Sequence, residues 1–251
     1  MAFEKPQKGN PHGLTVMQHT FPRASIARFT NGDGRVAVSY IPGKKQLCLT
    51  PDDQLFCAKR TWDQRAEQGF MKKIEDAFQS LAEAIIDGRV TRIGFFEKPV
   101  VNDFFALWNI RAHRKYQPIV DQPINGIVTL ERNLTKDEQE LLEKHHISFI
   151  RPDLKIPGRQ LAGINIQMNL DMVRRQLADA EWGILKADEG EFIVPDNFSN
   201  ARIVPVTPTT CLFSQSDNDV ISRAEVAEIN RHALASSAEY FLARDFSKCP
   251  L

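Results

Sequence analysis

Cysteine is scarce in this sequence, and its spacing excludes the commonest cysteine-based sites. The four cysteines are Cys48, Cys57, Cys211 and Cys249. No two of them form a CxxC pair, and no histidine lies at zinc-finger spacing from them. We therefore predict reduced, partly buried thiols.

Long apolar runs are also absent. No run reaches the length of about 18 residues that a transmembrane helix needs. The start of the chain, MAFEKPQKGNPHG, lacks the apolar segment of a secretory signal. These absences predict a cytoplasmic protein that does not associate with membranes.

Neither sign of charge is in excess, since 32 Lys and Arg residues balance 32 Asp and Glu residues. A non-specific nucleic-acid coat needs excess positive charge, so the balance argues against that role and leaves open only a local basic cleft. The GxGxxG, P-loop, HExxH and GxSxG signatures are missing as well. The function must therefore be sought in scattered polar residues.

The chain does contain clear helical periodicity. Its 251 residues are enough to bury a core without metal or disulfide. Apolar residues from Trp62 to Ile85 recur at spacings of three and four, which predicts a helix that ends at Gly88. Further helices are predicted over 99–115, 135–144 and 223–244, and from about residue 158 onward.

Segments of alternating hydrophobicity predict two β-hairpins and two further strands. The segments are 35–41 with 46–50, 182–187 with 191–195, 202–206, and 209–214. This order predicts an α+β fold, in which a helical bundle-like layer packs on a small antiparallel sheet. We expect 1–16 to form an irregular lead-in and 17–251 to form a single domain, whose weakest join is 117–133.

The first candidate site residue is His19, which stands just before a short helix opened by Pro22. A neutral imidazole at this place acts as a general base or binds a metal ion. The alternative is a structural histidine whose ring nitrogens bond to backbone carbonyls. Arg23, directly after the proline, is a candidate for substrate binding.

Two glutamates on the long predicted helix are candidate catalytic partners of His19. Glu67 and Glu75 lie off the apolar stripe and are eight residues apart, which is a little over two turns. They would face the same way and could hold a divalent cation together with His19. The neighbouring Lys72 and Lys73 favour the alternative, a solvated helix face.

Further candidates lie later in the chain. Arg111 and Arg114 are three residues apart near a helix end and could grip a phosphate, or simply favour the helix dipole. Asp196 and Asn197 come directly after an apolar strand, where site residues are commonly placed, although both also favour turns. Asn230 lies within a predicted helix, where a buried side-chain hydrogen bond would explain it, and it is a further candidate for substrate binding.

Four stretches together resemble a family of bacterial and fungal proteins known as domain of unknown function 4238. The stretches are QHTFPRASIARF, WDQRAEQGFMKKIEDAF, EFIVPDNFSNARIVPVTPTTCLF and VAEINRHALASSAEYFLARD. The resemblance spans about residues 17–244 and implies one continuous domain in a microbial cytosolic protein. It marks the histidine, glutamate, Asp-Asn and helical asparagine positions named above. The chain departs from the family where Phe198 replaces the proline expected after Asp-Asn, which affects the loop shape.

These residues support two hypotheses of function. In the first, the protein is a nuclease or nucleotide-processing hydrolase that serves as an effector in phage defence or in a toxin system. His19 is then the base or a ligand, the carboxylates orient it or bind a divalent metal, and arginines hold phosphate. In the second, the protein is a non-catalytic binding or sensor protein, or a subunit of a larger assembly, and the same residues brace the fold.

Overall fold

Helices and short strands are interspersed along the chain in the computed structural model, which describes residues 3–126, 132–198 and 200–251. The α-helices are α1 (Arg23–Ala27), α2 (Gln64–Ala66), α3 (Lys72–Ile86), α4 (Lys98–Lys115), α5 (Lys136–Lys144), α6 (Gly158–Gln176) and α7 (Arg223–Ser236). A π-helical turn, Glu67–Met71, joins α2 to α3, and Gln54–Phe56 and Phe246–Lys248 form 3₁₀ turns.

The strands are short and belong to several small sheets. They are β1 (Met17–His19), β2 (Val36–Tyr40), β3 (Lys45–Leu49), β4 (Cys57–Lys59), β5 (Gln122–Pro123), β6 (Lys155–Ile156), β7 (Trp182–Ala187), β8 (Val194–Pro195), β9 (Ile203–Thr207), β10 (Thr210–Ser214), β11 (Asp219–Ile221) and β12 (Tyr240–Ala243). The sheet orders are β1-β4, β3-β2-β12-β8, β11-β7-β10-β9 and β5-β6. The α+β class is confirmed, with the strands divided among separate sheets.

Several local predictions are confirmed because their signals lie within a few residues. The first hairpin forms as β2 and β3, with Val36 opposite Leu49. Helix α4 begins and ends within one residue of the predicted bounds. Helix α5 has the predicted capping box, in which Thr135 and Glu138 bond reciprocally to backbone N–H groups.

The second predicted hairpin is wrong. Strand β7 pairs with β10 and, in parallel, with β11, whereas Val194 and Pro195 pair with β12. The chain does bend at the Asp-Glu-Gly sequence between the two segments, but this bend does not decide which strands pair. Pairing depends on contacts with segments distant in the sequence.

The last helix is shorter than predicted. Helix α7 ends at Ser236, and Ser237 takes an extended conformation. Residues 240–243 form β12 instead, hydrogen-bonded between β2 and β8. Because β12 completes the ladder on both sides, tertiary pairing outweighs the local helical preference of this segment.

The join predicted to be weakest, 117–133, contains the short strand β5, and residues 127–131 lie outside the described residues. Residues 3–16 contain no helix or strand and run along the surface of α5. No helix in the described part of the chain has the length and apolar character needed to cross a membrane.

The core that positions the candidate site lies between α3, α4 and the segment before α1. Phe78 of α3 stacks on Phe104 of α4 with ring centroids 3.5 Å apart. Phe21 packs against Trp108 at 4.4 Å, which fixes the chain just after His19 against α4. The end of β1 is thereby held beside the inner face of α4.

Candidate active site

His19 ends β1 and is half-buried beside the loop that leads into β4. Its Nε2 lies 3.0 Å from the carbonyl oxygen of Pro51. Because a carbonyl only accepts hydrogen bonds, Nε2 carries the hydrogen, and in the neutral ring the lone pair is on Nδ1. The carbonyl contact matches the structural alternative for this histidine, and it also orients Nδ1 as a base.

Glu67 is the first residue of the π-helical turn between α2 and α3. Helix α2 starts with a side-chain cap from Asp63, and the wider turn comes next, with Gly69 outside the helical region at φ −93° and ψ −110°. The Trp62 indole Nε1 donates a hydrogen bond to Glu67 Oε2. The single predicted helix is therefore interrupted, and interruptions of this kind are frequent at functional sites.

Burial raises the pKa of Glu67, although the charge of Arg111 and the bond from Trp62 act to lower it. The charges of Glu75 and His19 contribute smaller opposing effects. This carboxyl group therefore keeps its proton to a higher pH than an exposed glutamate does.

Arg111 ties the predicted residues together from α4. Its buried guanidinium pairs with Glu75 through Nη1, and its Nη2 lies 3.7 Å from Glu67 Oε2. Nη1 also donates to the backbone oxygen of His19 at 3.3 Å, and the group stacks over the Trp62 ring at 5.3 Å. The positive charge thus lies between the carboxylate of Glu75 and the carboxyl group of Glu67, both of which retain partial exposure.

We call His19, Glu67, Glu75 and Arg111 the acid–base cluster. Its members come from β1, the π-helical turn, α3 and α4, so the tertiary fold brings together residues up to 92 positions apart. Arg23 lies at the same corner, because it pairs at 2.5 Å with Asp52, the neighbour of the Pro51 that binds His19. Both members of that outer pair are exposed.

Asp196 does not join the acid–base cluster. Its Oδ1 accepts hydrogen bonds from the backbone N–H of Asn197 and Ala238, and its Oδ2 accepts one from Glu239. These bonds fix the turn before β12, and they give the carboxylate a structural role in place of the predicted catalytic one. Burial raises the pKa of Asp196, while these backbone bonds lower it.

The loop after Asp196 has an aromatic residue, Phe198, in place of the expected proline. Phe198 is buried, with its ring edge-on to Trp108 at 5.8 Å. Asn197 lines a separate cavity of about 630 Å³ together with His113. The aromatic residue therefore anchors this loop to α4, and Asn197 has no contact with the acid–base cluster.

Asn230 has the buried hydrogen bonds that its place within a helix predicted. It accepts from the N–H of Ile193 and donates to the carbonyls of Glu191 and Pro250. All three contacts are at 2.8–3.0 Å and the side chain is fully buried. It joins α7 to two loops, so the predicted substrate-binding role is replaced by a structural one.

The structure does not bring Arg111 and Arg114 together as the predicted phosphate grip. Arg111 is buried and neutralised by carboxylates, whereas Arg114 bonds to Gln117 and lines another cavity, with Asn165 and Met168. Spacing of three places two side chains on one helix face, but the burial and length of each chain decide where its charged end lies.

No group of three or more His, Cys, Asp or Glu side chains within the described residues is arranged to hold a metal ion. In the acid–base cluster, Arg111 lies against the two carboxylates and supplies the positive charge that a divalent metal would have supplied. The predicted metal role of Glu67, Glu75 and Asp196 therefore has no geometric basis.

Sequence reasoning missed a cavity of about 700 Å³ between the β2–β3 hairpin and the end of α4. Its apolar wall includes Leu47 and Leu49, and Lys115 and Tyr116 both bond there to the carboxylate of Glu239. Lys115 and Glu239 are more than 120 positions apart, and no sequence pattern relates them. Only the tertiary structure shows that they line one cavity.

Comparisons of the chain with protein-family models, with curated proteins and with solved structures found no match.

Proposed function

We propose that the protein is a hydrolase that acts on a phosphate-containing substrate, a nucleotide or a nucleic acid, at the acid–base cluster. The single observation that carries this proposal is the convergence of Glu67, Glu75 and Arg111 on the backbone of His19, whose ring is near enough for its charge to lower the pKa of Glu67. Paired groups with different proton affinities are what acid–base hydrolysis needs.

In the proposed chemistry, His19 accepts one proton and Glu67 donates another. Nδ1 of His19 takes a proton from the attacking water, since Nε2 is held by the Pro51 carbonyl. Glu67, whose pKa is raised, donates a proton to the leaving oxygen. Arg111 and Glu75 hold this geometry, and the exposed Arg23 contacts the substrate phosphate after leaving Asp52.

The test is hydrolysis of nucleotides and of single- and double-stranded nucleic acid by the purified protein, with and without added Mg²⁺ or Mn²⁺. His19→Ala and Glu67→Gln should each lower kcat by about 100-fold or more, the usual contribution of an acid or base. His12→Ala is the matched control, because His12 pairs with Asp137 outside the acid–base cluster. Equal rates for all four proteins, or no hydrolysis by the wild type, would refute the proposal.

The proposal extends to a cytoplasmic effector of phage defence or of a toxin system. Cells expressing the wild type should then show toxicity or phage protection that cells expressing His19→Ala lack, at matched protein levels. Identical growth with and without phage would contradict the effector role while leaving the hydrolysis assay decisive for the chemistry.

A binding or sensor protein is the second candidate function, and the 700 Å³ cavity favours it. Its volume suits a small molecule, and its lining combines apolar walls with a few polar groups. The ionisable carboxylate and ammonium residues there, Asp53, Lys59, Lys115 and Glu239, sum to zero charge, which suits a neutral ligand. Leu49→Trp should fill the cavity and abolish binding of the neutral dye Nile red; unchanged binding would reject this candidate.

A further inference from the structure

A further cavity, of about 510 Å³, lies between the start of the chain and α6, and cations outnumber carboxylates in its wall. The charged residues of the wall are Glu4, Arg60, Asp121, Arg151, Lys155 and Arg159. Four of these are cations and two are carboxylates, in a chain whose net charge is zero. We call this group the Glu4 pocket.

The carboxylate of Glu4 occupies the cationic side of the Glu4 pocket. It pairs with Lys136, Arg151 and Arg159, which come from α5, the loop before β6, and α6. Burial alone would raise the pKa of Glu4, but the bond from Arg151 and the charge of Arg159 bring it down to about 2. Three cations therefore converge on one small anion.

Arg60 is the most buried charged residue in the wall of the Glu4 pocket. Its side chain is 1% exposed, with Nη2 bonded to Glu143 at 2.8 Å and Nη1 to the Glu4 carbonyl at 3.0 Å. Its Nε is buried without a hydrogen-bond partner among the described residues. Such an unpaired N–H of a charged group is costly, and an anion in the adjoining cavity would relieve that cost.

The rest of the network neutralises these charges only in part. Glu143 accepts bonds from both Arg60 and Arg159 through the same oxygen, Oε2. If Glu4 is removed, Arg60 and Arg159 share the single carboxylate of Glu143, whereas Arg151 keeps Asp121 and Lys155 keeps Asp153, so that one positive charge is in excess. An excess of positive charge in a partly enclosed cavity attracts anions strongly, because the local dielectric constant is low.

The start of the segment that carries Glu4 is held by few contacts, whereas its end is fixed by buried Leu14 and by the hydrogen bonds of Thr15 to Gln64 and of Arg60 to Val16. Residues 3–16 contain no helix or strand. Besides Glu4, the polar contacts that fasten it to α5 are Gln7 with Glu140 and Asp137, and His12 with Asp137. A competing anion therefore has to displace only one carboxylate and a short irregular segment.

We propose that the guanidinium groups of the Glu4 pocket form a binding site for a small anion, a carboxylate or a phosphate, and that Glu4 fills it as an internal competitor. Anion binding releases the N-terminal segment, and the segment's return expels the anion. None of these residues belongs to the acid–base cluster, so the site does not depend on the proposed hydrolysis.

The experiment compares Glu4→Ala with the wild type in calorimetric titrations with inorganic phosphate and with acetate, at constant ionic strength. Glu4→Ala should bind at least one of them about ten-fold more tightly than the wild type. Glu189→Ala is the control for loss of a negative charge, because Glu189 pairs with Arg223 on the surface. The double variant Glu4→Ala/Arg151→Gln should lose the gain. A gain with phosphate alone would identify a phosphate site, and a gain with acetate alone a carboxylate site.

The wild type provides a second measurement that does not depend on how Glu4→Ala folds. The amide of Gln7 is protected by Glu140, so displacement of the segment should speed its hydrogen exchange. Phosphate or acetate should accelerate this exchange relative to chloride. If neither anion changes the exchange and Glu4→Ala binds no better than Glu189→Ala, the proposal is overturned.

Discussion

Arg111 is the residue on which the acid–base cluster depends. Its guanidinium is buried and faces two carboxylates, the sulfur of Met71 and the backbone oxygen of His19. Removing one member of such a group leaves buried charges without compensation. The cluster is therefore a single electrostatic unit rather than four independent contacts.

We predict that Arg111→Met lowers the free energy of unfolding by about 3–5 kcal/mol, the usual cost of an uncompensated buried pair. Adding Glu75→Gln should recover part of the loss, because one unpaired carboxylate is removed. Urea denaturation measures both effects. Arg174→Met, which removes a half-exposed pairing with Asp103, should cost less than about 1 kcal/mol; a similar loss in both variants would contradict the prediction.

Asp63 is a second residue whose surroundings affect the stability of the protein. It caps α2 by accepting a hydrogen bond from Ala66 and is almost fully buried. Burial raises its pKa to about 6, against lowering by the Ala66 bond and by Arg65. The folded protein therefore favours the protonated form, whose stabilising contribution is complete below about pH 3.8 and lost as the pH rises through about 6.

We predict that Asp63→Asn, which keeps the capping oxygen, becomes progressively more stable than the wild type between pH 4 and pH 7.5. The relative gain should approach about 3 kcal/mol, at about 1.4 kcal/mol per pKa unit. Chemical denaturation of both proteins across this range isolates the Asp63 contribution. A difference that is independent of pH, or that falls as the pH rises, would refute the assignment.

At the scale of elements, the π-helical turn shows how a local pattern can be right and still incomplete. Apolar spacing predicted one helix from Trp62 to Ile85, and α3 does carry that stripe. The inserted turn changes the direction in which Glu67 points and brings it to Trp62. Spacing along an ideal helix puts Phe70 on the buried stripe, whereas the inserted turn places Met71 in the core and leaves Phe70 half-buried.

Strand β7 passes close to the loop before β11, and this close approach can be tested. A Cβ added to Gly183 would lie 2.3 Å from the carbonyl oxygen of Asp217 and 2.5 Å from that of Ser216. Gly183→Ala should therefore force the backbone apart and lower the free energy of unfolding by about 1–3 kcal/mol. Thermal or urea unfolding tests this. Gly32→Ala is the matched control, since a Cβ there meets nothing within 4 Å; equal losses would contradict the close approach.

At the scale of the whole molecule, the cysteines are distributed between core and surface without forming a disulfide. Cys48 is exposed on β3, and Cys57, Cys211 and Cys249 are buried. Burial raises the pKa of Cys57 and of Cys249 to about 12, and raises that of Cys211 further. The buried thiols therefore resist forming the reactive thiolate.

We predict that the native protein reacts rapidly with Ellman's reagent at Cys48 alone, and that all four thiols react in denaturant. Cys48→Ser should abolish the rapid phase. Absorbance measured at neutral pH counts the thiols directly. Rapid reaction of two or more thiols in the folded Cys48→Ser variant would show that the core is more open than the burial of these residues implies.

Of the candidate site residues predicted from the sequence, the structure brings some together and places others elsewhere. His19, Glu67, Glu75 and Arg111 meet, and Arg23 lies beside them, although their roles remain predictions. Asp196 and Asn230 stand out in the sequence for a different reason, because each satisfies backbone groups that would otherwise be buried unpaired. A polar residue after a strand or within a helix looks the same in the sequence whether it belongs to a functional site or satisfies buried backbone groups.

Features whose physical causes lie close together in the chain could be predicted from the residues alone. The capping box of α5, the extent of α4 and the β2–β3 hairpin are of this kind. Contacts between distant segments make 240–243 a strand, pair β7 with β10, and enclose Arg111 with acidic side chains. These outcomes depend on burial and hydrogen bonding between distant segments, which outweigh local preferences of a few tenths of a kcal/mol per residue.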